Sequence, residues 1–283
     1  MSTPLPSQYA RDKLSTLLRA LRAATELTSA EAARRAGFSQ SKLSKIENGA
    51  LLPSYDDGEA LCRTYGATAE QRDEVLDLLR VLHDEVESAR VILRRGAHRK
   101  QQQFARIEAE TIEYRDLQVA YVSGLLQSAD YIRRMASKVM SSTDLDKQVA
   151  ARLARQRVLD DQGKRFTFVM TEGALRWRAG SAGLMAAQVE HIIEVSHRPN
   201  VDLGIIPWSV EAPPGVMPGH EVHIYDNRMV IVGIQTATAT IQDPRDIEVY
   251  LTLFASVTAV AVFGDEARIE LERIAGDYRA SDS

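Results

Sequence analysis

The sequence contains a single cysteine, Cys62. This scarcity excludes an internal disulfide and a zinc site built from several thiolates. The chain also lacks any run of about 18 consecutive apolar residues, which a membrane-spanning helix would need. Its first residues, MSTPLPSQYARDK, do not include the apolar stretch of a signal peptide. We therefore expect a soluble protein of the cytoplasm.

Neither sign of charge dominates the whole chain, but the charges are unevenly placed. The sequence has 35 Lys and Arg against 39 Asp and Glu, a formal net charge of −4. Residues 9–49 carry eight basic and four acidic side chains, whereas residues 101–283 carry 19 basic and 25 acidic ones. A basic first part on an acidic body predicts one module that meets a polyanion. A solvated surface without a partner is the alternative.

The region from Tyr9 to Gly49 predicts three short helices. The first has leucines at helical spacing, at Leu14, Leu17, Leu18 and Leu21. Thr28 followed by Glu31 is typical of a capping box, so a second helix begins at Ser29, and Gly37 ends it. Ser39 caps a third helix, Gln40 to Asn48, which Gly49 terminates. Two short helices joined by a glycine-containing turn form a helix-turn-helix.

The outward face of the third helix is polar, while Leu43 and Ile46 form its buried side. We expect four side chains on this face to contact base edges in the DNA major groove: Gln40, Ser41, Ser44 and Lys45. Backbone amides and hydroxyls at the start of the second helix suit a phosphate. The phosphate contacts are expected from Thr28, Ser29 and Lys42.

The stretch from Leu27 to Gly49 (LTSAEAARRAGFSQSKLSKIENG) resembles the DNA-binding domain of Cro/CI-type repressors of the Xre family. The resemblance covers about 23 contiguous residues and includes the family's spacing of Ala, Gly, Ser, Ile, Glu and Gly. It implies base-edge contacts by Gln40, Ser41, Ser44 and Lys45. It also implies phosphate contacts by Thr28, Ser29 and Asn48. The loop after Gly49 departs from the family because it is Ala-Leu-Leu rather than basic. A helical bundle used for protein contacts is the alternative to a DNA-binding domain.

Two further helices are predicted before the basic segment. The first spans Asp56 to Tyr65, with Cys62 as a packed apolar residue rather than a redox sensor. The second starts at a capping box at Thr68 and continues at helical spacing toward Leu93, either packed on the core or paired with a second copy. The basic segment 94–100 either follows the DNA backbone or is a solvated hinge.

Residues 101–283 alternate between helical and strand patterns. Helices are expected near 103–115, 128–139, 145–160, 183–197, 244–260 and 264–279. Strands are expected at 166–170, 201–206, 221–225 and 229–232, the last two as a β-hairpin, and along Thr236, Thr238 and Thr240. Interleaved strands and helices with an antiparallel pair indicate an α+β domain with a mixed sheet.

This second part also resembles a family. The stretch Val122 to Tyr131 (VSGLLQSADY) is similar to the V-P-G-L-L-Q-T-x-x-Y signature of WhiJ-like actinobacterial regulators, with Ser123 in place of the usual Pro. Gln235 also departs, because a Glu often follows the hairpin. The resemblance implies a role in development or secondary metabolism. It also implies a small partner protein encoded by an adjacent gene, in an antitoxin-like arrangement.

Catalytic motifs are lacking, so we expect no enzyme, no catalytic residue, no cofactor and no metal. There is no P-loop, no G-x-G-x-x-G after a strand and no G-x-S-x-G. The spacing of His220 and His223 places them on opposite faces of a strand, which disfavours metal binding. Four aromatic residues are either core or the lining of an effector pocket: Tyr131, Trp177, Trp208 and Tyr225. The Pro-rich loop 212–218 is a candidate lid or docking loop.

The sequence predicts a multidomain protein. An all-α, five-helix Cro/CI-type helix-turn-helix domain comes first, and an α+β domain with a mixed sheet comes second. The predicted boundaries are 1–66 for the DNA-binding domain, 67–104 for the connecting helix and basic linker, and 105–283 for the regulatory and dimerisation domain. We expect a homodimeric transcriptional regulator of double-stranded DNA with a palindromic operator, controlled by a small partner protein or a small-molecule effector. An antitoxin-like module that sequesters its neighbour's product is the alternative.

Overall fold

The structure is a computed structural model, and it describes residues 6–83, 85–88, 97–137, 141–234 and 237–281. The chain forms two units. The first contains the chain up to Glu85 together with residues 240–246, and the second contains the remainder. The predicted fold class is confirmed, because a helical unit precedes one of mixed sheet and helices. The predicted domain boundaries stay predictions.

Five helices build the first unit. They are α1 (Pro6–Ala24), α2 (Ser29–Ala36), α3 (Gln40–Glu47), α4 (Tyr55–Tyr65) and α5 (Ala69–His83). Their apolar faces meet in one core that includes Leu18, Leu43, Leu61 and Leu79, each fully buried. Helices α4 and α5 pack closely because Gly58 has no side chain; a Cβ there would lie 2.6 Å from Leu79 Cδ1.

The chain after the first five helices alternates strands and helices. These elements are β1 (Glu85–Ser88), α6 (Ala97–Glu110), β2 (Glu113–Gln118), α7 (Ala129–Ala136), α8 (Ser142–Gln156), a 3-10 turn (Arg157–Asp160), β3 (Arg165–Thr171), α9 (Glu172–Arg176), α10 (Ala182–Ser196), β4 (Val201–Ile206), β5 (Val222–Tyr225), β6 (Met229–Ile234), β7 (Ala237–Ile241), α11 (Pro244–Thr258), β8 (Val262–Phe263) and α12 (Gly264–Ser281). No described helix combines the length and the hydropathy that crossing a bilayer requires.

The strands form one mixed sheet in the order β1-β7-β6-β5-β2-β3-β4-β8. Strands β2, β3 and β4 are parallel neighbours, while β5 pairs antiparallel with both β2 and β6. The predicted hairpin of β5 and β6 is present, and its turn contains Asp226 at a φ of 52°. Phe166 and Phe168 on β3 lie in the core with α10 and α12. The central position of β2 places its Asp116 opposite His223 of β5.

Two of the predicted helices are present but end earlier than predicted. The predicted helix 103–115 ends at Glu110, and residues 113–118 are strand β2, because pairing with β3 and β5 outweighs local helical spacing. The connecting helix predicted to run toward Leu93 ends at His83, where the ring Nε2 lies 2.6 Å from the Pro53 carbonyl oxygen. Residues 85–88 instead form strand β1, which neighbours β7 in the sheet.

Several predictions fall wholly or partly outside the described residues. These are residues 89–93 of the connecting helix, residues 94–96 of the basic segment, residues 138–139 of the helix predicted over 128–139, Gln235 and Thr236. The segment's last four residues, 97–100, form the first turn of α6. The predicted helix 145–160 is an α-helix up to Gln156 and a 3-10 turn beyond it. The Pro-rich loop 212–218 has neither helix nor strand, as its proline content predicts.

Candidate nucleic-acid interface

Helix α2 begins and ends where the sequence predicts. Thr28 Oγ1 accepts a hydrogen bond from the Glu31 amide at 3.3 Å, and the Glu31 carboxylate accepts one from the Thr28 amide at 3.1 Å. This capping box satisfies two groups that the helix start would otherwise leave unpaired. Gly37 ends the helix with a φ of 77°, a left-handed conformation that costs an L-residue strain. The turn that follows redirects the chain into α3.

Helix α3 is fixed by a cap at one end and by its apolar residues beneath. Ser39 Oγ accepts a hydrogen bond from the Lys42 amide at 3.1 Å. Leu43 and Ile46 are buried against the other helices of the unit. The helix gives way at Asn48 to Gly49, whose φ is 69°. The amides of Ala50 and Leu51 both donate to the Lys45 carbonyl, so the loop closes tightly over the end of the helix.

The four predicted base-contacting residues share one exposed face of α3. Gln40, Ser41, Ser44 and Lys45 are all exposed, as is Asn48 at the end of the helix. The Asn48 side-chain amide donates to Ser44 Oγ at 3.4 Å, which is a long and weak contact. Amide, hydroxyl and ammonium groups on one narrow helical face can donate to and accept from base edges in a major groove.

The predicted phosphate contacts differ in their availability. Thr28 is exposed and Ser29 half-buried at the start of α2. The Thr28 hydroxyl is already bonded to the Glu31 carboxylate at 2.8 Å, so the backbone amides of the first turn are better placed for a phosphate. Lys42 Nζ lies 2.7 Å from Asp57 of α4 and 4.4 Å from the centre of the Phe38 ring. A phosphate contact by Lys42 therefore has to compete with Asp57.

A buried ion pair under α3 was missed in the sequence. Arg22 of α1 donates from Nε and Nη2 to the two carboxylate oxygens of Glu47, at 2.7 and 3.0 Å. Glu47 is 5% exposed, and Tyr65 of α4 also donates to its carboxylate at 3.2 Å. The bond to Glu47 raises the pKa of Arg22, while burial and the Glu47 charge raise the pKa of Tyr65. Residue Glu47 thus joins α3 to α1 and α4.

The remaining sequence candidates in the described part of the chain differ in their burial and lie on separate elements. Burial raises the pKa of Cys62 to about 11, so its thiol stays protonated and packs as an apolar residue. Trp177 and Trp208 are 64% and 69% exposed, whereas Tyr131 and Tyr225 are buried. The part of the chain that the structure describes has no group of three or more His, Cys, Asp or Glu side chains placed to hold a metal ion.

Comparisons with known proteins divide the chain in the same order. A family described as a domain of unknown function (DUF5753) matches residues 101–273, and a family described as a helix-turn-helix domain matches residues 13–75. The second match contains α2, α3 and the whole exposed face. No curated protein matches the chain.

Several solved structures resemble the chain weakly, among them the following two. One is a phospholipase D family member, Nuc from Salmonella typhimurium, at 14% identity, covering 64% of this chain and 97% of that one with a TM-score of 0.35. The other is TrmBL2, described as an archaeal chromatin protein with a novel mode of DNA binding, at 13% identity, covering 90% and 100% with a TM-score of 0.33. Likenesses of this size do not establish a shared fold.

Proposed function

The chain belongs to the family of the domain of unknown function DUF5753, and we propose that this member is a sequence-specific DNA-binding transcriptional regulator. The N-terminal helix-turn-helix domain binds duplex DNA, and the DUF5753 domain controls that binding. The finer assignments, to the Xre family and to WhiJ-like regulators of antitoxin type, are part of this proposal. The proposal gives the chain no catalytic activity and places it in the cytoplasm, where the nucleoid is.

The exposed face of α3 is the observation on which the proposal depends. Gln40, Ser44 and Lys45 point away from a core that holds Leu43 and Ile46 of the same helix. A second helix of a helix-turn-helix presents such a face to the major groove, where Gln pairs with adenine and Lys with guanine. All three side chains are exposed in the described part of the first unit, which supports their access to a base edge.

A single recognition helix reads about four or five base pairs, which is too few for a specific operator. We therefore propose that the chain acts as a homodimer on a palindromic operator, with the two half-sites about one helical turn apart. The DUF5753 domain would dimerise and receive a signal from a small partner protein or a small molecule. The signal would favour one arrangement of the two DNA-binding domains.

DNA binding is tested with the full chain and fluorescently labelled duplexes from its own promoter region. We expect saturable binding at ~150 mM salt that survives an excess of unrelated duplex, because a base-reading interface adds to the phosphate contacts. Protection of two half-sites about ten base pairs apart, together with a dimer mass by light scattering, would support the homodimer.

The antitoxin-like alternative predicts a different result from the same experiment. A module whose main role is to sequester a neighbouring gene product would bind the promoter and an unrelated duplex equally, and that affinity would fall steeply with salt. It would instead form a stable complex with the product of the adjacent gene. Equal affinity for the two duplexes would contradict the proposed function.

A further inference from the structure

A cavity of about 450 Å³ opens in the second unit, bounded by α6, α7, α8 and the strands β2, β5 and β6. Its volume suits a small organic molecule. Its lining includes apolar side chains, among them Phe104, Ile132, Met135 and Ile231. It also includes the guanidinium groups of Arg152 and Arg155 and the amides of Gln127 and Gln148. A pocket that combines apolar and cationic groups in this way suits an amphiphilic anion.

The two arginines differ in how their charge is balanced. Arg155 donates from Nε and Nη2 to both oxygens of Glu108, at 2.6 to 2.9 Å, and from Nη1 to Gln101 at 2.9 Å. Its charge is therefore neutralised within the protein. Arg152 donates from Nη1 to the neutral amide of Gln127 at 2.6 Å, and its Nε is buried with no hydrogen-bond partner among the described residues.

The charge of Arg152 has no hydrogen-bonded carboxylate partner among the described residues. Burial and the neighbouring charge of Arg155 lower its pKa to about 10, which is the direction expected when a guanidinium lacks a carboxylate partner. An anion that reaches the Arg152 guanidinium from the cavity would supply the missing charge.

Glu108 and Glu221 act on Arg152 through their charge, but neither forms a hydrogen bond or an ion pair with it among the described residues. Burial raises the pKa of Glu221, which favours its neutral form, and its carboxylate lies over Gly233. Asp116 is paired with His223, whose Nδ1 lies 3.3 Å from a carboxylate oxygen of Asp116. The carboxylate of Glu108 is occupied by Arg155.

A second unpaired polar atom lies one helical turn from Arg152. Gln148 precedes Arg152 by four residues on α8, so the two side chains share a face of the helix. Gln148 is 5% exposed, and its Oε1 has no partner among the described residues. Buried polar atoms are nearly always hydrogen-bonded, so unpaired atoms on three residues that line one cavity, Arg152, Gln148 and Tyr225, indicate an occupant with complementary groups.

We propose that this cavity binds a small organic carboxylate, with the carboxylate on Arg152, a hydroxyl or amide group on Gln148, and the apolar body against Ile132, Met135 and Ile231. The site deepens the sensing role proposed above for the DUF5753 domain. Any effect of the ligand on DNA rests on that proposed function, whereas binding itself does not.

Isothermal titration calorimetry of the full chain tests the proposal with pairs of probes that differ only in charge. The pairs are hexanoate with hexanamide, and benzoate with benzamide. We expect the carboxylates to bind with one site per chain and the amides to bind at least about ten-fold more weakly, because only the carboxylates compensate Arg152. This comparison uses the unaltered protein, so it does not depend on the folding of a variant.

Variants locate the binding site. Arg152→Gln should weaken hexanoate binding by about ten-fold or more, and Arg152→Lys should retain part of it as a point charge. Arg157→Gln is the matched control, because Arg157 is exposed and lies outside the cavity. This substitution removes the same charge as Arg152→Gln. Circular dichroism and the unfolding midpoint of each variant establish that it is folded.

Three results would overturn the proposal: no heat from either carboxylate at millimolar concentration, equal affinity for carboxylate and amide, or hexanoate binding unchanged in Arg152→Gln. Tighter binding of phenyl phosphate than of benzoate would also count against it, since it would assign the cavity to phosphate esters. No DNA is present in these titrations. Failure here therefore leaves the proposed function standing, and failure to bind the promoter leaves the calorimetric result unaffected.

Discussion

Asp116 and His223 face each other across strands β2 and β5, with His223 Nδ1 3.3 Å from Asp116 Oδ1. Asp116 is fully buried and also accepts hydrogen bonds from Ser123, from Gln118 at 2.7 Å and from Tyr114 at 3.2 Å. Although burial opposes both charges, their attraction and hydrogen bond lower the pKa of Asp116 and raise that of His223. The charged pair is therefore the form that the fold favours.

The stability of the second unit should depend on pH through this pair. Because the folded pKa of His223 is raised, its contribution is fully present below the unfolded value of about 6.5 and is lost as pH rises through the folded value. Asp116 behaves oppositely, losing its contribution only in acid, below about pH 4. We expect the free energy of unfolding to fall as pH rises above about 6.5, by about 1.4 kcal/mol for each unit by which the folded pKa of His223 is raised.

Urea unfolding at a series of pH values measures this effect, with His223→Gln as the comparison. Glu221 also has a raised pKa, so its ionisation acts in the same direction as the loss of the His223 charge. The informative quantity is thus the difference in the free energy of unfolding between the parent and the His223→Gln protein at each pH. A parent and a His223→Gln protein with parallel pH profiles above pH ~6 would contradict the assigned role of His223.

This pair also shows why strand β2 was not predicted. The segment Glu113 to Gln118 contains Asp116 and Gln118, which are polar in the sequence but buried in the structure. The burial of Asp116 depends on His223, which lies far along the chain on strand β5, so no local pattern reveals it. The helix predicted to run toward Leu93 is wrong beyond His83 for the same reason. Residues 85–88 form strand β1, which depends on pairing with β7.

The helix-turn-helix was predictable because its signals are local. The bond between Thr28 and Glu31 spans three residues, and the left-handed turn at Gly37 needs only a glycine at the helix end. The exposed face of α3 follows from helical spacing once Leu43 and Ile46 are assigned to the core. The bond from Arg22 to Glu47 joins residues 25 positions apart, and no periodicity marks it.

Breaking that buried pair should destabilise the first unit. Glu47→Gln leaves the Arg22 guanidinium and the Tyr65 hydroxyl without their charged acceptor, and we expect a loss of about 2–4 kcal/mol. The estimate lies toward the lower part of the range for buried pairs because the Arg22 side chain is 24% exposed. Thermal or urea unfolding followed by circular dichroism measures it.

Two further variants separate the pair from general effects. Glu70→Gln removes an exposed carboxylate from the first turn of α5 and should change stability by less than about 0.5 kcal/mol. The double variant Arg22→Met/Glu47→Met removes both charges together, so it should lose less stability than Glu47→Gln alone. A double variant that is the least stable of the set would indicate that packing, rather than charge pairing, dominates at this position.

Substitutions on the exposed face of α3 should affect specificity without affecting the fold. Gln40→Ala and Lys45→Ala should each weaken binding to the promoter duplex by about 1–3 kcal/mol, because each removes hydrogen bonds to base edges. Binding to unrelated DNA should change little with Gln40→Ala, which removes no charge. Fluorescence anisotropy with both duplexes at one salt concentration measures the two affinities.

Arg63→Ala is the control for the Lys45 variant, because Arg63 is exposed on α4 and its removal changes the net charge equally. It should leave the ratio of specific to nonspecific affinity unchanged. If Gln40→Ala bound the promoter duplex as tightly as the parent, the base-reading face would have to lie elsewhere on the first unit.

The turn at Gly37 allows backbone strain to be measured without a steric contribution. A Cβ added at Gly37 would have no atom within 4 Å, so Gly37→Ala changes only the cost of a φ of 77°. We expect a loss of about 1–2 kcal/mol in the first unit, and a smaller loss for Gly37→Asn, because Asn tolerates the left-handed region.

Gly276→Ala is the matched control in α12, where a Cβ also meets nothing within 4 Å and the backbone is helical. That substitution should stabilise the second unit by about 0.5–1 kcal/mol, since alanine has less backbone entropy to lose on folding. The same chemical change should therefore have opposite signs at the two glycines, and equal signs would show that φ at Gly37 does not determine the effect.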